Sequence, residues 1–532
     1  MSDFQWVDGD ATDSLQAALD ASQGDAINIA PGHYTVGRLW PRTNTRIVMS
    51  PGVHFHKRAS TGGVWYMSNV SDVHLIANGA TIHGEDAAGS TSFGHNVYAL
   101  GTTDCSIVGL VTDGASPGKD GLYIGLGTKP NERLQVIGGK FLRAKRNGIS
   151  VVAGFDTLIQ GVECAYSTGS PGAGIDVEAN FYGHVDNTRI IRPHVHHNQN
   201  AGILSIFGCG TQVVDPDSHD NGTYGFAVSS GGYQFMEDRY RPNVDMVGVT
   251  GFDMATGTVF VATLPPVGTP VNFSVRNGAQ RPPELSGSYY VVSRHVGANG
   301  VILGKSVRHS EVTSFSLPGA GIMSADPYES DIRLRVFGKG QSDRGSLRGG
   351  RIHHNGTQGV FIGGAGRMRL SETEVFDNGS NQVQISYTRD VEMECLRISG
   401  GAHMGIAASS SGGRLRIANC DFDNVGGRAL SVTEWTDAQI EWNNVTNCAA
   451  TELSSAKAGI HLASCLRPTA HRNKVTQHAN NTTTLFGIYA ENSVIDGTFT
   501  HNDLTGAGTT PANALRVPAG SVCEANIGRD GV

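Results

Sequence analysis

Charged residues are scarce in this chain. Asp, Glu, Lys and Arg make up 17% of 532 residues, against a usual share of about 25%. A coiled coil, a long-helix bundle or a charged disordered chain each needs more of them. Long apolar runs are missing too. None approaches the roughly 18 residues of a membrane-crossing helix, so no membrane partner is expected. The opening Met1-Ser2-Asp3-Phe4-Gln5 has neither a basic nor an apolar segment, so no signal peptide is expected. The eight cysteines (Cys105, Cys164, Cys209, Cys395, Cys420, Cys448, Cys465 and Cys523) show no CxxC pair and no zinc-type spacing. They predict buried thiols rather than disulfides or a metal. With a net charge of −8 there is no electrostatic footprint for nucleic acid.

Glycine is abundant instead, at 71 of 532 residues, nearly twice the usual share of about 7%. It marks a repeat. A small residue followed by alternating apolar positions recurs at Gly121, Gly148, Gly174, Gly202 and Gly225, then at Gly359, Gln382, Gly405, Ala429, Gly459, Gly487 and Ala514, spaced 23 to 30 residues apart. Period-two segments of this kind are short strands, and one per turn of chain predicts a solenoid. The fold expected is all-β: a parallel β-helix whose coils stack strand on strand.

Details in phase with the marker support it. Cys164, Cys395, Cys420 and Cys448 precede their markers by 9 to 11 residues, which predicts an interior thiol ladder. His196-His197-Asn198, His219-Asp220-Asn221 and His353-His354-Asn355 read as turns of left-handed backbone with stacked side-chain hydrogen bonds, a structural role rather than a metal site. Residues 11–22 read as a short amphipathic helix capping the open end, with Thr12 or Asp13 as N-cap and Leu15, Ala18 and Leu19 on one face. Between Gly225 and Gly359 the repeat breaks, and residues 246–322 alternate like antiparallel strands. The expected organisation is a cap and first part of the β-helix over 1–245, a small inserted β-domain over 246–322, and the second part of the β-helix over 323–532.

The opening Gly9-Asp10-Ala11-Thr12-Asp13-Ser14-Leu15, the following Ile29-Ala30-Pro31-Gly32-His33-Tyr34, and Ala77-Asn78-Gly79-Ala80-Thr81-Ile82 are similar to the cap and first coils of the pectate-lyase-like superfamily. The chain resembles its right-handed parallel β-helix proteins, closest in character to bacteriophage tailspike depolymerases. The insert resembles a module common in phage tail proteins. The resemblance implies a polysaccharide as partner, a homotrimer, and an extracellular or virion-associated location. Similar Gly-Ile-Asp-x-Glu-x-Asn segments to Gly174-Ile175-Asp176-Val177-Glu178-Ala179-Asn180 recur in the superfamily. The alginate-epimerase branch carries Asp-Pro-His-Glu there, and this chain departs from it at Val177 and Glu178.

In a strand, residues i and i+2 face one way, about 6.5 Å apart. With Ile175 and Val177 inward, Asp176 and Glu178 are expected to project outward into solvent as the catalytic pair, dividing acid and base work. Their carboxyls could stand anywhere from roughly 5 to 9 Å apart, which covers both retaining and inverting glycosidases. Tyr123, Ser150, Asp176, Leu204 and Ala227 should share one outer column. Lys119, Asp120, Tyr123, Arg146, Tyr182, His184, His219 and Glu237 are the expected substrate-binding residues, since aromatic faces stack on sugar rings while charged groups bond hydroxyls. A second cluster, Glu434, Trp435, His461, Tyr489 and Glu491, reads as surface or subunit contact. Three classes compete. They are an endo-glycoside hydrolase of a bacterial surface polysaccharide, which is preferred; a lyase acting on uronates, with Lys119, Arg146, His184 or Tyr182 as base; and a non-catalytic adhesin. No cofactor is expected for the first. Many lyases of this fold use Ca²⁺, which Asp176 and Glu178 could hold. The outward Leu204 and Ile206 suit the cover that a trimer provides.

Overall fold

The computed structural model describes residues 10–22, 24–58, 62–84, 94–115, 117–179, 185–206, 208–229, 344–386, 388, 390–409, 414–449, 457–476, 486–507 and 514–528. It also gives the backbone of strand Ser2–Phe4 and of the strands between Met246 and Val336. The chain divides into two compact units. One comprises 1–228, 344–361 and 370–382; the other comprises 229–343, 362–369 and 383–532.

The first unit is a parallel β-helix. Trp65–Ser68, Val97–Leu100, Leu122–Gly125, Ile149–Val151, Ile175–Glu178, Ile203–Ile206 and Phe226–Ser229 form one face of it, and two further parallel sheets complete each coil. Ile149 pairs with Ile175, and Ile175 with Ile203, so like side chains stack along the interior. Ile149, Val151, Ile175, Val177, Phe226 and Val228 are all buried, as the alternation predicts. Each such aliphatic side chain contributes roughly 1.5–3 kcal/mol on burial. The marker glycines reflect crowding. A Cβ at Gly174 would run into the Val195 side chain, the Asn198 amide and the Gly202 carbonyl.

The turns after the second sheet carry an asparagine ladder. Asn198 donates its backbone N–H and its amide to Asn221 Oδ1, at 3.2 and 2.9 Å. Asn221 repeats this with Asn355, and Asn355 with Asn378. All four are buried, so the ladder satisfies backbone groups that water cannot reach. The residue before each asparagine (His197, Asp220, His354 and Asp377) is left-handed, with φ of 52–54°. The expected turn geometry is therefore present.

Helix Thr12–Ala21 buries Leu15 and Leu19. It starts one residue earlier than expected: Ala11 occupies the N-cap without a side-chain bond, and Asp10 Oδ1 accepts the Thr12 N–H at 2.9 Å instead. The second unit also has parallel coils, with Val383 and Ile385 buried. Asn443, Asn473, Asn502 and Asn526 form a second ladder there. The expected thiol ladder is absent. Cys420 and Cys448 are buried, but Cys420 precedes strand Asp421–Asp423 while Cys448 follows strand Asn444–Thr446, and Cys395 is an exposed turn residue with φ of 55°. Coil lengths vary by a few residues, so a roughly constant distance to the marker does not fix a position on the coil. Six antiparallel strands close a barrel: Met246–Asp253, Thr258–Val261, Pro270–Val275, Ser288–Arg294, Gly300–Gly304 and Ile332–Val336. The last lies beyond the expected limit at residue 322, because its alternation reads equally well as the next coil.

Candidate active site

The outer column of the glycine-marked sheet runs in register through Tyr66, Tyr98, Tyr123, Ser150, Asp176 and Leu204. Its first three members make an aromatic track. The Tyr66 and Tyr98 rings stack at 4.2 Å, with Trp40 at 4.8 Å from Tyr66 and the Arg38 guanidinium 5.1 Å from the same ring. Tyr66 Oη accepts the Gly63 N–H and Tyr98 Oη the His95 N–H, which lays both rings along the sheet. His95 stacks on Tyr123 at 4.4 Å. Trp40, at 41% exposure, opens the track to solvent.

The track ends at a charged cluster. Arg146 lies 3.0 Å from Asp120 Oδ2 and 3.8 Å from Glu178 Oε2. Asp120 is fully buried; its Oδ1 accepts the Asn147 N–H at 2.9 Å, and its Oδ2 is 3.1 Å from His95 Nδ1. His95 Nδ1 is also 2.9 Å from the Asp120 backbone N–H. That nitrogen serves one partner at a time, accepting from the N–H in one tautomer and donating to the carboxylate in the other. Burial works to raise the Asp120 pKa, but His95 and Arg146 outweigh it and hold the carboxyl below its usual range. Burial likewise opposes the charge on Arg146, yet Asp120, Asp176 and Glu178 together keep its pKa above the ordinary value. Burial dominates for His95 and depresses it.

Asp176 departs from expectation. Ile175 and Val177 face inward as predicted, yet the outward Asp176 is not solvated: its exposure is 0%. The turn before the neighbouring strand folds over it. Asn147 Nδ2 donates to Asp176 Oδ2 at 2.9 Å and to Ser150 Oγ at 3.0 Å, while Asn147 Oδ1 accepts the Ala173 N–H. Asp176 Oδ1 makes no hydrogen bond among the described residues. Burial pushes this carboxyl well above the usual range, Glu178 and Asp120 push the same way, and Arg146 and Asn147 do not offset them. Glu178 is half-buried, its side chain 15% exposed. Two carboxylates of one strand thus occupy unlike environments.

Lys119 stands close enough to Asp120 for its charge to be felt at His95. His219 is not brought to the cluster. It lies on strand Asp217–His219 of a different sheet, between the rings of His196 and His353. Its place in a repeat motif fixed its coil but not its face. Tyr182, His184 and Glu237 lie outside the described residues. His95, Asn147 and Tyr98 were not singled out from the sequence. Asn96 stands where Gly121 stands on the next coil, so the missing glycine hid that strand, although Val97-x-Ala99 carried the alternation. In the second unit, His461 Nε2 is 3.1 Å from Glu491 Oε1, with Tyr489 beside it, while Trp435 is buried in the core.

The donors suit calcium poorly. That ion takes six to eight oxygens, whereas here a guanidinium sits among the carboxylates and burial disfavours the charged form of Asp176.

Residues 336–508 match the family model described as a right handed beta helix region. The chain folds as a right-handed parallel β-helix, a β-solenoid. No curated protein matches it by sequence. Solved structures similar to it include the A-module of mannuronan C-5 epimerase AlgE6 of Azotobacter vinelandii, at 11% identity and TM-score 0.41, covering 98% of this chain and 95% of that one. Another is the tailspike protein of E. coli bacteriophage HK620 in complex with a pentasaccharide, at 9% identity and TM-score 0.46, covering 97% and 75%. A third is the surface adhesin PfbA of Streptococcus pneumoniae, at 10% identity and TM-score 0.40, covering 83% and 88%. Likenesses this distant carry no assignment of activity. Among the described residues, no helix is long and apolar enough to cross a membrane.

Proposed function

We propose that the protein is a carbohydrate-active enzyme that depolymerises a bacterial surface or extracellular polysaccharide, and that it is an endo-glycoside hydrolase. The observation that carries this reading is the split between Asp176 and Glu178. Burial raises the pKa of the first well above the usual carboxylate range, while the second, 15% exposed, stands beside Arg146. Two carboxyls in such unlike environments can divide acid and base work. Asp176 supplies the proton to the glycosidic oxygen, once bound sugar replaces its cover. Glu178 acts on the opposite side as base or nucleophile. The track of Trp40, Tyr66, Tyr98 and Tyr123 lines the approach to the pair, and Trp40, its exposed member, can stack on a sugar ring. Arg146 and Lys119 give the local positive charge that an acidic polysaccharide needs in a chain of net charge −8.

A uronate lyase is the second reading, favoured by Arg146, whose fixed charge could neutralise a sugar carboxylate. Arg146 is then not the base, since its pKa is raised. A homotrimer acting outside the cell or on a virion completes the proposal, with the half-buried Leu204 and Ile206 on the outer face.

The test is a panel of bacterial capsules and exopolysaccharides. A hydrolase releases reducing ends without the ultraviolet absorbance of unsaturated uronates; a lyase gives both. Asp176→Asn and Glu178→Gln should each lower turnover at least about 10²-fold, the scale for losing a general acid or base. Wild-type rates in both variants would remove the site from this pair. A chain that binds a polysaccharide but releases no product is an adhesin.

A further inference from the structure

Away from the acid cluster, on the sheet that holds strand Asp217–His219, two columns of side chains run across successive coils. One reads Lys140, Glu163, His194, Asp217 and Arg351; the other reads His196, His219, His353 and Phe376. The rings of the second column stack at 5.2, 5.1 and 4.6 Å. Stacking alone would account for that column. It does not account for what the two columns do where they meet.

His194 and His219 turn their Nε2 atoms toward each other at 3.1 Å. Two imidazole nitrogens bound to one tetrahedral zinc at about 2.0–2.1 Å stand roughly 3.3 Å apart, so the rings already hold nearly the spacing of two ligands of one ion. His219 Nδ1 is 2.8 Å from Asp220 Oδ2. A proton held on that nitrogen by the carboxylate leaves the Nε2 lone pair pointing at the gap, which is how metal-bound histidines are oriented. Asp217 supplies the third donor. Its Oδ2 takes the Arg351 guanidinium at 3.2 Å, while its buried Oδ1 lies 3.4 Å from His353 Nε2, too poorly aligned for a hydrogen bond. Ligand atoms of His194, Asp217 and His219 all lie within 4.8 Å of one another. His196, nine-tenths buried beside them, has an Nε2 without a hydrogen bond, 3.6 Å from Glu163 Oε1. A pocket of about 440 Å³ opens at Glu163 and His194, bordered by Gly139, Gly161 and Arg192.

We propose that His194, Asp217 and His219 bind one divalent transition-metal ion of the zinc class, which joins two neighbouring coils. Two nitrogens and one carboxylate select such an ion over calcium or magnesium. Without the ion, one Nε2 must carry a proton to bond the other; binding moves that proton to Nδ1 of the same ring, so that both Nε2 lone pairs face the ion. Glu163 with His196, and His197 with Asp220, form flanking donor groups, each sharing one histidine with the central three. The central group is distinguished by its two facing Nε2 atoms, with a carboxylate beside them that an ion would draw from its 3.4 Å contact with His353.

The full chain, freed of metal with EDTA and dialysed, is titrated with Zn²⁺ by calorimetry and with Co²⁺ by visible absorption. The expected result is one ion per chain, a tetrahedral cobalt spectrum, and a melting temperature that rises with Zn²⁺. His194→Gln and His219→Gln should each weaken binding by about 100-fold or more, with circular dichroism in EDTA showing that both variants fold. His54→Gln, in the separate stack where His54 Nδ1 meets His83 Nε2 at 3.1 Å, should leave binding unchanged. No binding by the wild type up to millimolar Zn²⁺ overturns the proposal. So does binding that survives His219→Gln but is lost in Glu163→Gln.

Discussion

Removing Arg146 tests the electrostatics of the acid cluster most directly. It is the cation that touches both Asp120, which has no exposed surface, and Glu178. Arg146→Met deletes the charge while keeping most of the volume. Breaking a buried ion pair from one side costs about 3–5 kcal/mol. The Arg146 side chain is 22% exposed and its field is partly screened, so the cost falls below that range, to about 2–3 kcal/mol. Asp120→Asn alone should cost less, about 1–2 kcal/mol, because Arg146 keeps Glu178 and some water. The double variant should then fall short of the sum by about 1–2 kcal/mol, where independent sites add to within about 0.5 kcal/mol. Urea unfolding of the full chain, followed by circular dichroism, gives all three values. The pH dependence adds a sign. In the wild type the folded state lowers the Asp120 pKa, so this group stabilises the fold above the usual carboxylate range, and that contribution is lost as pH falls through the folded value. In Arg146→Met the lowering weakens, so the deficit should be constant near neutral pH and shrink only as pH falls below about 4. Additive variants, or a deficit that does not change with pH, would refute this account.

Asp176 has the opposite sign: its pKa is raised, so the folded chain keeps a proton that the unfolded chain has released, and stability falls as pH rises through that window. Asp176→Asn should therefore melt higher than wild type at neutral pH, with the gain vanishing below about pH 4; a lower melting point at neutral pH would contradict it. Asn355→Ala leaves the Asn221 backbone N–H and amide without their acceptor, at about 1–3 kcal/mol for each buried donor. It should lower stability by about 2–4 kcal/mol, and faster amide exchange at Asn221 should accompany the loss. Light scattering should give three times the chain mass of 56.1 kDa; the mass of a single chain would rule out the trimer.

The solenoid, its inward residues and the acid pair were legible in the sequence because each is a one-dimensional pattern. Alternation assigns Ile175 and Val177 to one side of a strand and Asp176 and Glu178 to the other, whatever the rest of the chain does. The asparagine turns could be read for the same reason, since the residues that repeat are the residues that stack. Burial of an outward side chain is a different kind of fact. Asp176 is dry because Asn147, from the turn before the neighbouring strand, lies over it, and no pattern within Ile175–Glu178 carries that information. The partners His95 and Tyr98 lie 78 to 81 residues before Asp176 in the chain and reach the cluster only through the stacking of coils. His219 shows the converse, a residue in phase with the repeat that the winding of the coil carries to another face. The sequence by itself determined which residues face in and which face out. The tertiary structure decided which outward residues meet and which of them lose water, because both depend on coils that are neighbours in space and distant along the chain.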